Sequence, residues 1–221
     1  MKTLVKVIAA IAVLGGGFFA YQTVNAADIS GNAGVSFSDT RTFRGVKQAD
    51  DTLGVNVGLG TSIAEKVSLG VSLDSFTALE SGQTNELRTG LVLGYDVCEK
   101  ASVSLGYTNY DYQSLTSFDE LRLGVSANTF LSPSLLYATD SDNDSDVTEV
   151  SVGHSFSLSE QFGLTLDGSL GNVDAAADYT YHSVGATVTS SLGGADTFAG
   201  VALVDNDNAG SDSETVFSVG F

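Results

Sequence analysis

The chain has 221 residues, enough for one domain or two small ones. Nine Lys and Arg against 27 Asp and Glu give a formal charge of −18, which excludes a nucleic-acid binder that works by neutralising phosphates. One cysteine excludes an internal disulfide and a cysteine-built metal centre, and two histidines leave little for catalysis.

The first predicted element is an export signal. Lys2 and Lys6 precede an apolar run from Val7 to Ala20, followed by polar Gln22, Thr23 and Asn25. A membrane-spanning helix needs about 20 apolar residues, and a run this short suits the core of a signal peptide. Val24 and Ala26 are small enough for signal peptidase, so cleavage is expected after Ala26. The expected domains are therefore a signal peptide over 1–26 and a single barrel over 27–221. The only cysteine, Cys98, is far from the cleavage point, which excludes a lipoprotein.

Period-two alternation follows. Leu53, Val55, Val57, Leu59 and Ile63 alternate with Gly54, Asn56, Gly58, Gly60 and Ser62. This puts one face apolar and the other small or polar, as in a strand. Twelve such segments are predicted: 29–37, 52–63, 67–76, 86–97, 101–110, 118–127, 130–139, 147–156, 162–170, 179–189, 197–204 and 215–221. Most match the roughly 9–11 residues of a tilted transmembrane strand. Pro133 removes a ladder donor and predicts a bulge or a late start in the seventh.

The intervening segments alternate between short turns and longer polar loops. The longer ones cover 38–51, 77–85, 111–117, 140–146, 171–178 and 205–214. The second face carries Gly, Ser and Thr with few charges, unlike the solvated face of a secreted sandwich or solenoid. The expected fold is all-β: a closed antiparallel transmembrane β-barrel of about twelve strands, with short periplasmic turns and longer acidic extracellular loops. Aromatics at strand ends (Phe37, Phe76, Tyr95, Tyr110, Phe118, Tyr137, Phe156, Phe162, Tyr179, Tyr181, Phe221) are expected to form interfacial belts.

Two segments carry a resemblance. Ser38, Asp39, Phe43, Arg44, Gly45 and Gln48 match the S-D-Y-x-F-R-G-x-S-Q segment of TorF-like porins, a family of bacterial outer-membrane barrels. Thr40 replaces the aromatic, Lys47 replaces the serine, and one residue is inserted. The resemblance implies an outer-membrane porin. The last segment, Val216 to Phe221, resembles the signal read by the barrel assembly machinery, with Phe221 as its key residue.

Strand parity turns Asp74, Glu86, Arg88, Glu120, Arg122, Glu149 and Asp167 inward. They are expected either to form a charge-selective constriction or to close a salt-bridge network across the lumen. Twelve strands at about 4.8 Å spacing and roughly 40° tilt enclose a cylinder of about 24 Å, so only small solutes are expected to pass. Asp140, Asp142 and Asp144 resemble half a calcium loop, but Ser145 replaces the required glycine and Ser151 the closing glutamate. No metal or other cofactor is expected.

His182 and Ser183 point to opposite faces, and His154 lies at the other end of the barrel, so no catalytic pair forms and no enzyme is expected. The acidic loops predict a cation preference. The expected partners are outer-membrane lipid, the barrel assembly machinery and small solutes. The alternative is a non-conducting structural or adhesive barrel.

Overall fold

The computed structural model describes residues 24–26, 29–192, 195–208 and 210–221. Most of the expected signal peptide lies outside the described residues. The strands are β1 (Val24–Ala26), β2 (Ile29–Phe43), β3 (Val46–Ala64), β4 (Val67–Ala78), β5 (Glu86–Cys98), β6 (Ala101–Tyr112) and β7 (Phe118–Ala127). They continue as β8 (Ser134–Asp140), β9 (Ser145–Ser157), β10 (Phe162–Asp174), β11 (Tyr179–Leu192), β12 (Ala195–Asn206) and β13 (Glu214–Gly220).

Each strand from β2 to β13 pairs antiparallel with the next, and β13 returns to β2. The result is the closed twelve-strand barrel that the alternation predicts. Backbone bonds in both directions between Val35 and Phe221, at 2.8 and 2.9 Å, complete the seam. Among the described residues β1 pairs with Ile29–Gly31 of β2 and with no other strand.

The outer wall is aliphatic. Leu59, Leu91, Leu121 and Leu203 are about half exposed or more, and in a water-soluble fold they would be core residues. The inner wall is built from glycines and small hydroxyls. Cross-strand bonds tie Ser102 to Ser126 (2.8 Å), Ser134 to Ser151 (2.5 Å), Ser155 to Thr165 (2.8 Å) and Ser169 to Ser183 (2.9 Å). β8 begins at Ser134, immediately after Pro133, which is the late start predicted from the missing donor.

The structure corrects two expectations. First, 38–51 is no polar loop. β2 and β3 stay paired through it as far as Phe43 and Val46, with a bulge at Arg41/Thr42. Strands also extend into the other connections, leaving only Ser141–Asp144 between β8 and β9, for example. Second, five of the aromatics assigned to belts do not face outward. Phe76, Tyr110, Phe118, Tyr179 and Tyr181 share the inward parity of their strands, and Tyr110 and Tyr181 are buried. Phe37, Tyr95, Tyr137, Phe156, Phe162 and Phe221 remain on the outer surface.

The end of the barrel holding the Phe43–Val46 turn is called upper here. At that end Asp207 accepts the backbone N–H (2.5 Å) and the hydroxyl (2.9 Å) of Thr180. These bonds hold its carboxyl below the usual carboxylate range.

Candidate functional site: a hairpin folded into the lumen

The last wall pair of β2 with β13 is Ser38 with Ser218, and the last of β3 with β4 is Thr52 with Ala78. Beyond these points the β2–β3 hairpin has no strand neighbour on either edge. Asp39 marks the departure, its Oδ1 taking the N–H of Phe217 at 2.8 Å in place of a β2 carbonyl. Asp51 has φ 42°, and together with the bulge it lets the paired strands bend inward.

The hairpin crosses the barrel. The Arg41 guanidinium meets Glu86 of β5 at 2.8 Å. Arg44 pairs with Glu120 of β7. Asn206 of β12 donates to the Gly45 carbonyl at 2.7 Å. Gly45 has φ +79° and sits against Tyr181 of β11, where a Cβ would collide with that residue. At its base, Gln83 accepts from the Asp50 N–H at 2.8 Å, and Asp51 accepts from Leu79 at 2.8 Å.

The six residues singled out between Ser38 and Gln48 are therefore parts of one device. Ser38 donates to the Thr40 carbonyl (2.5 Å) and Gln48 to the Val46 carbonyl (3.3 Å) within the hairpin. Asp39 holds β13, Arg44 holds β7, and Gly45 lets the tip touch β11. The Phe43 ring packs 5.5 Å from Tyr110 and lies under the Arg44 and Arg88 guanidinium groups, at 4.6 and 4.7 Å.

Around the hairpin the wall supplies matching charge. Glu86 pairs with Arg88, and Arg122 lies 4.0 Å from Glu120, which also accepts from the Tyr110 hydroxyl at 3.0 Å. Asp74 stands in register beside Arg88. Glu149 accepts from Tyr181 at 2.7 Å. Arg41 stacks on Phe76 at 4.0 Å, and Tyr110 stacks on Phe118 at 4.5 Å. Next to this layer, Ala138, Val147, Val173 and Tyr181 form a buried apolar cluster. A cavity of about 40 Å³, room for a water molecule, lies beside Arg41, Phe76 and Glu86.

Six of the seven charges predicted to face inward thus gather in one layer, and Asp167 stands apart lower in the barrel. Arg41, Arg44, Arg88 and Arg122 are the only arginines of the chain, and all lie in this layer. Against them stand Asp74, Glu86, Glu120 and Glu149, so the layer carries no net formal charge. Arg41, Phe76, Tyr110, Tyr181 and Asn206 escaped the sequence-based site. Parity alone places the three aromatics inside, since Phe76 follows Asp74 by two residues and Tyr110 is in register with Arg88.

The other candidates are local. Asp140 caps its turn, with Oδ1 accepting from the N–H groups of Asp142 (2.9 Å) and Asn143 (3.2 Å) and Oδ2 from the Asn143 amide (2.5 Å). Its oxygens are thus turned to loop donors, with Asp144 at φ 49°. His154 contacts the Phe130 carbonyl at 2.5 Å on the outer lower rim, and His182 lies 3.9 Å from Asp205. Cys98 is an exposed free thiol.

No family model matches the chain, and no curated protein matches it. Solved structures do. The NanC porin aligns over 85% of this chain and 97% of its own, with a TM-score of 0.57 and 10% identity. The KdgM porin covers 85% and 96%, with a TM-score of 0.54 and 12% identity. The COG4313 outer membrane channel from Pseudomonas putida F1 covers 90% and 96%, with a TM-score of 0.53 and 8% identity. At these identities the shared property is the barrel fold.

Proposed function

We propose that the chain is an outer-membrane channel of porin type for small hydrophilic solutes or ions, constricted by its inward β2–β3 hairpin and preferring cations. The observation that carries this reading is the contrast between the walls: an aliphatic exterior suited to lipid around a hydroxyl-lined interior crossed by a charge-matched hairpin. The resemblance to TorF-like porins and the barrel shared with solved porins support it.

The route to the membrane is an expectation of the same reading. Cleavage after Ala26 would remove β1 and leave every barrel strand intact. The alternating last strand ending in Phe221 suits recognition by the assembly machinery.

Cation preference follows from where uncompensated charge lies. The arginines are balanced within their layer. The upper connections carry Glu80, Asp142, Asp144, Asp178, Asp207 and Asp212, with Lys47 as the nearby base, while Lys66 and Lys100 sit in lower turns. The mouth field is therefore negative and concentrates cations.

A specific observation favours the alternative of a non-conducting barrel: the hairpin layer is packed against aromatics and an apolar cluster. Planar-bilayer recording of the refolded chain separates the two. Stepwise currents whose reversal potential in a KCl gradient has the cationic sign are expected. Silence at verified insertion selects the closed structural barrel.

A further inference from the structure

We infer that Asp167 is the selectivity-determining cation site of the lower lumen, an inference that rests on the channel reading above. Asp167 lies on β10, in register with Gly185 of β11 and Gly153 of β9. The two glycines make a niche on the inner wall: a Cβ at position 185 would stand 3.0 Å from both carboxylate oxygens. Hydroxyl pairs flank the niche along the strands, Ser169 with Ser183 on the upper side and Ser155 with Thr165 on the lower.

What sets Asp167 apart is the missing counter-charge. The carboxylates of the hairpin layer face arginines or, for Glu149, a tyrosine hydroxyl. Among the described residues no lysine, arginine or histidine pairs with Asp167, and its shielded Oδ1 accepts no hydrogen bond. A carboxylate on the lumen wall with no protein counter-charge beside it attracts a mobile cation through its uncompensated field. The oxygens of a single carboxylate suit an alkali cation that keeps most of its water. Asp96 and Asp196 share the inward parity, but they lie exposed at the lower rim, where water screens them.

The test is reversal-potential measurement on the full barrel in a KCl gradient, comparing Asp167→Asn, Asp167→Glu and the rim control Asp196→Asn. Asp167→Asn is expected to lower the cation-to-anion permeability ratio by about threefold or more, Asp167→Glu to retain it, and the rim control to change it less. An unchanged ratio in Asp167→Asn, or an equal change in the rim control, overturns the inference while leaving the channel standing. Absence of current from the unmodified barrel overturns the channel reading instead.

In that event infrared difference spectra of the detergent-solubilised protein decide the ion site alone. On exchange of K⁺ for tetrabutylammonium, a carboxylate band present in the unmodified chain and lost in Asp167→Asn supports the site. Identical spectra refute it.

Discussion

The upper and lower lumen share one wall but solve opposite problems. In the upper part, long charged and aromatic side chains reach across the axis, and each charge is answered within the protein. Arg44 is anchored by Glu120, Glu86 by Arg41 and Arg88, and Glu149 by Tyr181. In the lower part the inner residues are mostly glycines and hydroxyls that bond sideways along the wall, and Asp167 is left without a protein cation. The difference teaches that a barrel interior becomes a barrier or a path according to where its polar groups find partners. Groups satisfied across the lumen brace it, and groups satisfied along the wall make no such span.

The largest expected effect comes from erasing the contrast. Replacing Arg41–Gln48 by a short Gly-rich turn removes the span across the axis, since both hairpin edges are already free of wall strands. Single-channel conductance is expected to rise on the order of tenfold, because the narrowest section dominates resistance. Equal conductance before and after truncation would mean that ions take a route the hairpin does not control.

Much of this contrast is written in the sequence, though unevenly. Period two fixes which residues face inward, and that sufficed for the barrel and for Glu86, Arg88, Glu120, Arg122 and Asp167 alike. The hairpin was hidden because clean alternation stops at Phe37, so the polar run that follows looks solvated. Its arginines find partners on β5 and β7, strands far away in sequence, and no local pattern encodes that pairing. The aromatics went astray for a different reason. Proximity to a strand end suggests a belt for Phe76 and Tyr110, while their parity places them inside. Parity is set by backbone geometry and outranks residue-type preference.

A smaller effect, on stability, is expected from breaking one anchor of the upper layer. Glu120→Gln leaves Arg44 and Arg122 facing a neutral amide at a site where the carboxylate is almost fully shielded. Losing one partner of a buried pair costs about 3–5 kcal/mol. Replacing Arg44 and Glu120 together by methionine is expected to recover part of that loss, since the Arg44 charge leaves with its partner and only Arg122 loses Glu120. Urea unfolding in lipid vesicles provides the measurement, followed by tyrosine emission because the chain has no tryptophan. If Glu120→Gln is as stable as the unmodified barrel, the pair is solvated and the upper layer is wetter than its packing implies.

The smallest effect isolates the hairpin tip from its charges. Gly45→Ala adds one methyl group and removes no ion pair. Two penalties act on it: φ +79° is unfavourable for a side-chain-bearing residue, and the new Cβ meets Tyr181 and comes within 3.1 Å of the Asn206 Cβ. Together they amount to about 1–3 kcal/mol if the tip keeps its place. The tip can instead withdraw from β11 and β12, giving up the 2.7 Å bond from Asn206 to the Gly45 carbonyl. Withdrawal would show as a partial gain in conductance with almost unchanged unfolding, whereas a rigidly held tip would show the stability loss at constant conductance. Either result measures how firmly the hairpin is seated. An alanine variant that matched the unmodified barrel in both properties would place the tip away from the wall, and the contrast between a layer braced across the lumen and a wall bonded along itself would no longer stand.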